Sequence, residues 1–253
     1  MIKVVLLGAG NVAFHFYEVF SKHAEIKVSQ WYNRTLATLS QYKNQVEITD
    51  KLESISTTAD VYILAVPDDA IGPLSTKLNL ENKLVVHTSG SVSIHELNKK
   101  LRRGVFYPLQ TFSKEAEIDF NNVPICIEAL EKEDFKTLKK IAEIIESPVY
   151  KINTDQRQTL HLAAVYVNNF TNQLYRIAHE MVDTKHISFD ILKPLILETA
   201  KKVETLSPYM AQTGPAKRND KKTLKRHLKL IENPQHKEIY ELLTQSIKKT
   251  HGR

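Results

Sequence analysis

Ile2-Lys3-Val4-Val5-Leu6-Leu7-Gly8-Ala9-Gly10-Asn11-Val12-Ala13 begins as an apolar, β-branched run and ends in a glycine-spaced turn. Val4 to Leu7 are continuously apolar, as expected of a central strand covered by helices on both faces. Gly8, Gly10 and Ala13 follow at the G-x-G-x-x-G/A spacing, directly after the strand and at the head of a helical pattern. That context gives the spacing its weight as a dinucleotide-binding turn. Gly8 is expected to make the tight turn, Gly10 to let the backbone approach a pyrophosphate, and Ala13 to permit close contact of helix and strand. Amides around Asn11 and Val12, at the positive end of the helix dipole, are expected to meet the phosphate charge.

Working outward, further β-rich runs stand at Ile26 to Tyr32, Val46 to Ile48, Val61 to Val66, Leu84 to His87, Gly104 to Tyr107, Val123 to Ile127 and Val149 to Ile152, with a charged helical stretch from Glu131 to Glu146. Strands alternating with helical patterns predict an α/β fold with a mostly parallel, Rossmann-type sheet of about eight strands. After Ile152 the β-rich runs stop. Asn153-Thr154-Asp155 offers cap residues for a long helix to about Thr184. A second helix is expected from Ser188 to about Leu206, broken or bent at Pro194, and shorter ones near Asp220 to Ile231 and Pro234 to Lys249. Charge changes at the same place: residues 1 to 152 carry 18 basic and 19 acidic side chains, whereas 153 to 253 carry 17 and 10. The expected domains are therefore 1–152, cofactor-binding, and 153–253, all-helical, for substrate and dimerisation.

The end of the second strand, Tyr32-Asn33-Arg34-Thr35, lacks the acidic residue that NAD-selective proteins place there for the ribose hydroxyls. Arg34 can pair with a 2′-phosphate and stack on adenine, while Asn33 and Thr35 add hydrogen bonds. At about 1.5 to 3 kcal/mol per charged hydrogen bond, two such bonds favour NADP over NAD by on the order of a hundredfold or more. Val66-Pro67 ends the fourth strand and His87-Thr88-Ser89 the fifth. Ligands of open α/β sheets bind at such carboxyl ends, so Val66, Pro67 and Ser89 are expected to line the nicotinamide half. Asp68 and Asp69 read as caps of the next helix.

With these motifs in place, the chain resembles the NADP-binding reductases related to 6-phosphogluconate dehydrogenase, pyrroline-5-carboxylate reductase and the deazaflavin-dependent NADP oxidoreductases. Its second half resembles more narrowly a bacterial family that pairs a Rossmann-like domain with a helical C-terminal domain of unassigned function. The stretches that carry this are His161-Leu162-Ala163-Ala164-Val165-Tyr166-Val167-Asn168-Asn169 and Thr213-Gly214-Pro215-Ala216-Lys217-Arg218-Asn219-Asp220. Asn219 stands where that family usually has glycine, and asparagine also tolerates the left-handed conformation. The resemblance implies an NADP-linked oxidoreductase with a C-terminal domain of the 6-phosphogluconate dehydrogenase type, and names no substrate.

His161 and Asn168 lie seven residues apart, on one face of a regular helix to within about 20°, with Asn172 continuing the stripe. His161 is the candidate proton donor and Asn168 the candidate orienting residue for hydride transfer to a carbonyl or imine in a cleft between the domains. Either could instead satisfy partners in a helical core. Thr213 marks a tight turn presenting Lys217 and Arg218, which with Asn172 are the candidate binders of a small, anionic substrate. The competing reading is a non-catalytic NADP-binding sensor or scaffold.

Among the 253 residues 42% are apolar and 25% charged, ordinary for a globular protein. Cys126 is the single cysteine, which excludes an internal disulfide and argues against a thiolate metal site. The start lacks the regions of a signal peptide and no apolar run could span a bilayer, so a cytoplasmic protein without membrane contact is expected. A net charge of +6 also fits nucleic acid, but no recognition motif accompanies it and no nucleic-acid partner is expected. A homodimer is expected from the apolar surface of the long helix at 155–184.

Overall fold

The structure, a computed structural model, describes residues 1–251. Eight strands form one sheet: β1 (Ile2–Leu7), β2 (Ile26–Tyr32), β3 (Glu47–Thr49), β4 (Val61–Leu64), β5 (Leu84–His87), β6 (Arg102–Pro108), β7 (Ile125–Ala129) and β8 (Val149–Lys151). Their order is β3-β2-β1-β4-β5-β6-β7-β8. Pairing is parallel throughout except between β6 and β7. The chain builds outward from β1 in one direction to β3, then crosses to the other side of β1 to place β4. The carboxyl ends of β1 and β4 therefore flank the point where strand order reverses, which is where open sheets leave a crevice.

Period-two alternation explains why the central strands read as unbroken apolar runs. Val4 and Leu6 of β1, with Val61 and Ile63 of β4, belong to one core that also holds Phe16, Phe20 and Trp31. Val5 and Leu7, with Tyr62 and Leu64, belong to a second core on the opposite face with Ile71 and Leu97. Helix α1 (Asn11–Phe20) joins β1 to β2 and α2 (Asp68–Lys77) joins β4 to β5. The remaining early crossovers are made by short 3-10 turns at Leu36–Tyr42, Leu52–Ser54 and Ile94–Glu96. Helix α3 (Lys132–Ile144) buries Leu138, Ile141 and Ala142 between β7 and β8 in sequence.

By packing, the chain divides into two compact units, Met1–Asn169 and the segment from Phe170 onward. The break in composition at 152 and the break in packing at 169 differ because the first helix after the sheet, α4 (Thr154–Ala164), is bound to the sheet unit. A capping box starts it: Asn153 Oδ1 accepts from the Gln156 amide and Gln156 Oε1 from the Asn153 amide, both at 2.9 Å. Arg157, fully buried, then donates through Nη2 to Glu128 Oε2 at 3.0 Å and through Nη1 to the carbonyls of Ser89, Gly90 and Val92 at 3.2, 3.3 and 2.8 Å. Leu160 packs on a third small core of Ile94, Val105, Tyr107 and Cys126.

The expected helix from 155 to 184 is not one α-helix. A π-helical segment, Val165–Phe170, separates α4 from α5 (Thr171–Asp183). The expected helix from Ser188 is also different: Ser188 Oγ caps a 3-10 turn, Phe189–Leu192, and α6 (Lys193–Thr205) starts afterwards. Pro194 lies in the first turn of α6, where its missing N–H costs nothing, so it opens the helix instead of bending it. The second unit continues with α7 (Pro208–Ala211), α8 (Lys221–Leu230) and α9 (Pro234–His251). Among the described residues no helix is long and apolar enough to cross a membrane.

Replacing Arg157 by Met leaves Glu128 without its buried cation and three carbonyls without a donor. The expected loss is about 3 to 5 kcal/mol. Denaturant unfolding followed by the fluorescence of Trp31, the sole tryptophan and a residue of the sheet unit, measures it.

Candidate functional site

A cleft of about 680 Å³ opens at the carboxyl ends of β1 and β4. Its floor is the turn Gly8 to Val12; Ala65, Val66, Pro67 and Thr88 follow from the next strands, Asn33 and Thr38 from the β2 side, Gln110 to Phe112 from the segment after β6, and Asn168 and Asn169 from the π-helical turn. Gly8 has φ of +113°, and a Cβ there would lie 2.1 Å from the Ala65 carbonyl oxygen, so no other residue fits. Packing makes no such demand at Gly10: a Cβ there would meet no protein atom within 4 Å and would project into open space. Ala13 is fully buried in the core behind the turn. Trp31, missed by sequence reasoning, fixes the turn from below, its indole N–H donating to the Gly8 carbonyl at 2.6 Å while the ring stacks on Tyr17 at 4.7 Å.

Helix α1 begins at Gly10 with no side-chain cap and no acidic residue in its first turn, so its first amides are unclaimed by the helix ladder or a cap. The Asn11 side chain is spent elsewhere, donating to the Phe112 carbonyl at 2.7 Å. His15, one turn on, bonds the Ser113 carbonyl through Nε2 at 2.7 Å. Together they hold the segment that brings Gln110, Thr111 and Phe112 to the cleft, a contribution no sequence motif announced. At the end of β2, Asn33 Nδ2 donates to Thr38 Oγ1 at 2.7 Å and to the Thr35 carbonyl at 3.0 Å. Arg34 is exposed and makes no ion pair among the described residues; Thr35 is exposed beside it and caps the 3-10 turn with its backbone.

Ser89 does not line the cleft; its buried hydroxyl accepts from the amides of Ser91 and Val92, both at 3.0 Å, and shapes the loop after β5, leaving Thr88 as that strand's lining residue. His87 is fully buried, its Nδ1 accepting from the Ser89 amide at 3.2 Å. Burial, reinforced by the Arg157 cation, drives its pKa down to about 3. It is a neutral structural histidine.

Helix α4 lays three side chains on the same loop: Arg157, Gln158, whose Nε2 donates to the Ser91 carbonyl at 2.7 Å, and His161. The His161 imidazole occupies the space beside Gly90, where a Cβ would lie 2.6 Å from Nδ1. That nitrogen is 3.1 Å from the Tyr107 hydroxyl. Asn168 reaches the cleft lining, which does not include His161. The two are not a stripe of a regular helix, because the π turn between them advances less per residue than the α-helical 100°. Asn172 is an exposed residue of α5 in the second unit.

Also in the second unit, Gly214 has φ of +100° and Asn219 φ of +52°, so asparagine does take the left-handed conformation in this turn. Lys217 Nζ donates to the Gln212 carbonyl at 2.8 Å, while Thr213 and Arg218 are exposed. Among the described residues no cluster of side chains could hold a metal ion.

The strand order about β1 and the glycine turn at the reversal point define a Rossmann-type dinucleotide-binding protein. A family model described as "NADP oxidoreductase coenzyme F420-dependent" matches residues 3–90, and the "Domain of unknown function (DUF2520)" matches residues 123–247. The chain is 38% identical to the "putative NADP oxidoreductase BF3122" of Bacteroides fragilis, over 98% of both chains, with a TM-score of 0.88. It belongs to this family of NADP-oxidoreductase-type Rossmann domains joined to the domain of unknown function. Two more distant structures share the fold: protein TM1727 from Thermotoga maritima, 19% identical over 98% of both chains with a TM-score of 0.75, and a reductive aminase from Aspergillus terreus in complex with NADPH and ethyl-5-oxohexanoate, 11% identical over 100% of this chain and 96% of that one with a TM-score of 0.77. No curated protein matches the chain.

The His87 shift has a defined sign. Its folded pKa of about 3 lies below the ordinary 6.5, so the unfolded chain binds the extra proton and stability falls as pH drops from 6.5 toward 3. At pH 4 the loss from this group is about 3 kcal/mol. Melting curves from pH 7 to pH 4 should flatten in His87→Asn, which keeps an acceptor for the Ser89 amide.

Proposed function

We propose that the protein is an NADP-dependent oxidoreductase that passes a hydride between NADP(H) and a small carbonyl or imine compound. One observation carries the reading. A cleft at the strand-order reversal is floored by a turn in which Gly8 is enforced by packing and Gly10 leaves open space above the backbone, next to a β2 end that offers Arg34 and no carboxylate. These residues fit NADP: amides at the start of α1 for the pyrophosphate, and Arg34, Asn33 and Thr35 for the 2′-phosphate and adenine end. Val66, Pro67 and Thr88 support the nicotinamide end.

When bound, NADPH supplies a hydride to the carbonyl or imine carbon. His161 supplies the proton to the oxygen or nitrogen, and Asn168 orients the group by hydrogen bonding. An anionic substrate is proposed on the basic balance of residues 153–253 and on Lys217 and Arg218, since the lining of the first unit's cleft offers amides and hydroxyls but no charged side chain. NADPH oxidation across matched anionic and neutral carbonyls and imines, with a deazaflavin as a further hydride acceptor, tests this. Turnover of at least one anionic member, falling about a hundredfold in His161→Gln, is the expected result. Cofactor binding with no turnover across the panel would favour the sensor or scaffold reading.

We further propose a homodimer. Helix α6 buries none of its residues within the chain, and Leu195, Leu197 and Val203 on it stand exposed with Ile191, Leu206 and Tyr209 on the flanking segments. An apolar surface of that extent marks an interface. Light scattering should give twice the chain mass, and Leu197→Asp should shift it toward the monomer. We propose a cytoplasmic location on the cysteine usage: Cys126 is the sole cysteine, has no second one for an internal disulfide, and is buried, its thiol pushed up to about 11.

A further inference from the structure

We propose that Tyr107 is a positioning residue: its hydroxyl holds Nδ1 of His161 against rotation, keeps the resting neutral ring in the tautomer with its proton on Nε2, and accepts from Nδ1–H when the doubly protonated ring acts as the donor. The inference rests on the reading of His161 as the proton donor.

Tyr107 comes from β6, and its side chain is buried in the small core of Val105, Cys126 and Ile94. A buried hydroxyl needs an acceptor for its proton. The partner within reach is His161 Nδ1, at 3.1 Å. A neutral imidazole accepts at one nitrogen and carries its proton on the other. If Tyr107 donates to Nδ1, the proton of neutral His161 resides on Nε2. A hydroxyl can also accept, and the proton donor is the doubly protonated ring: its Nδ1–H donates to the tyrosine oxygen while its Nε2 proton passes to the substrate, which leaves a neutral ring bonded to Tyr107 through Nδ1–H until it takes up another proton at Nε2. Phenylalanine could fill neither role. Burial, with a smaller contribution from Cys126, raises the phenol to about 12, so Tyr107 retains its proton throughout the working range and does not compete as an acid.

Two further contacts reduce the freedom of the ring. Tyr107 packs edge to face against it, with centroids 6.0 Å apart and planes at 73°. Gly90 lies against its Nδ1 edge, where any β-carbon would come within 3 Å of Nδ1, Cγ and Cβ together. Gly90 itself is held by the Arg157 contact to its carbonyl at 3.3 Å. Arg157 and His161 are one helical turn apart on α4, so the residue that anchors the helix also sets where the imidazole meets the loop. The glycine in Thr88-Ser89-Gly90 is thus accounted for by an imidazole rather than by backbone conformation.

The test uses the full-length protein labelled with 15N-histidine. Long-range 1H–15N correlation spectra distinguish the two tautomers and doubly protonated rings, and His161→Gln identifies the His161 signals. In the wild type the proton should be on Nε2, with Nδ1 showing the shift of a hydrogen-bonded acceptor. Tyr107→Phe, which keeps the ring in the core, should give a mixture of tautomers and lower kcat about tenfold with KM for NADPH unchanged. Gly90→Ala should produce the same spectral change by displacing the imidazole, without touching the tyrosine. A wild-type Nδ1–H tautomer, or a His161 spectrum and kcat unaltered in Tyr107→Phe, would overturn the role of Tyr107 while leaving an inactive His161→Gln to support the proton donor. Full turnover in His161→Gln would instead overturn the proton donor, and the role of Tyr107 with it.

Discussion

Gly8 stands where no side chain can. Its left-handed backbone and the 2.1 Å that would separate a Cβ from the Ala65 carbonyl mean that the end of β1 and the end of β4 close on each other only through a bare α-carbon. Everything at the cleft follows from that approach. It brings the start of α1 against the sheet edge with its amides unclaimed, and it places Gly10 two residues further on, over open space. The turn is also tied into the core, because Trp31 donates to the Gly8 carbonyl while packing with Tyr17 and Tyr42. A change in that aromatic cluster therefore reaches the cofactor turn directly, although none of the three rings lines the cleft.

A second anchor sets the catalytic candidates. A fully buried guanidinium must be answered by protein groups, and Arg157 finds Glu128 on β7, Thr154 in its own helix start, and three carbonyls of the loop after β5. Such a pair fixes geometry more surely than it adds stability. The consequence is that α4 belongs with the sheet, and that His161, one turn beyond Arg157, meets Gly90 and Tyr107 instead of lying free on a helix surface. The π turn that follows then presents Asn168 and Asn169 to the cleft, so two polar residues on one stretch of helix serve different surroundings. Widened helical turns often accompany functional positions for this reason.

Much of this was legible in the sequence. An unbroken apolar run such as Val4 to Leu7, closed by a glycine turn, was expected to be a strand buried on both faces, and the period-two split of Val4 and Leu6 from Val5 and Leu7 between two cores bears that reading out. The glycine spacing was readable because it encodes backbone requirements. What could not be read was anything decided by distant pairing. Trp31 and Tyr107 look like ordinary core aromatics, and only the fold brings Trp31 to Gly8, 23 residues away, and Tyr107 to His161, 54 away. Arg157 carries no sequence motif, and only the fold brings it to Glu128 and the loop after β5. The even helical period assumed for His161, Asn168 and Asn172 failed at the π segment, whose wider turn has no compositional signature. Pro194, read in sequence as a break or bend in a helix running from Ser188, instead opens α6, because the Ser188 cap and the 3-10 turn precede it.

The central claim is that this glycine turn and the carboxylate-free end of β2 select NADP. Calorimetric titration of the wild type and of Arg34→Ala with NADPH and with NADH measures it most directly. The account predicts that NADPH binds the wild type on the order of a hundredfold more tightly than NADH, and that Arg34→Ala loses most of that preference while its NADH affinity stays the same. Equal affinity for the two cofactors in the wild type, or binding of neither, would contradict it.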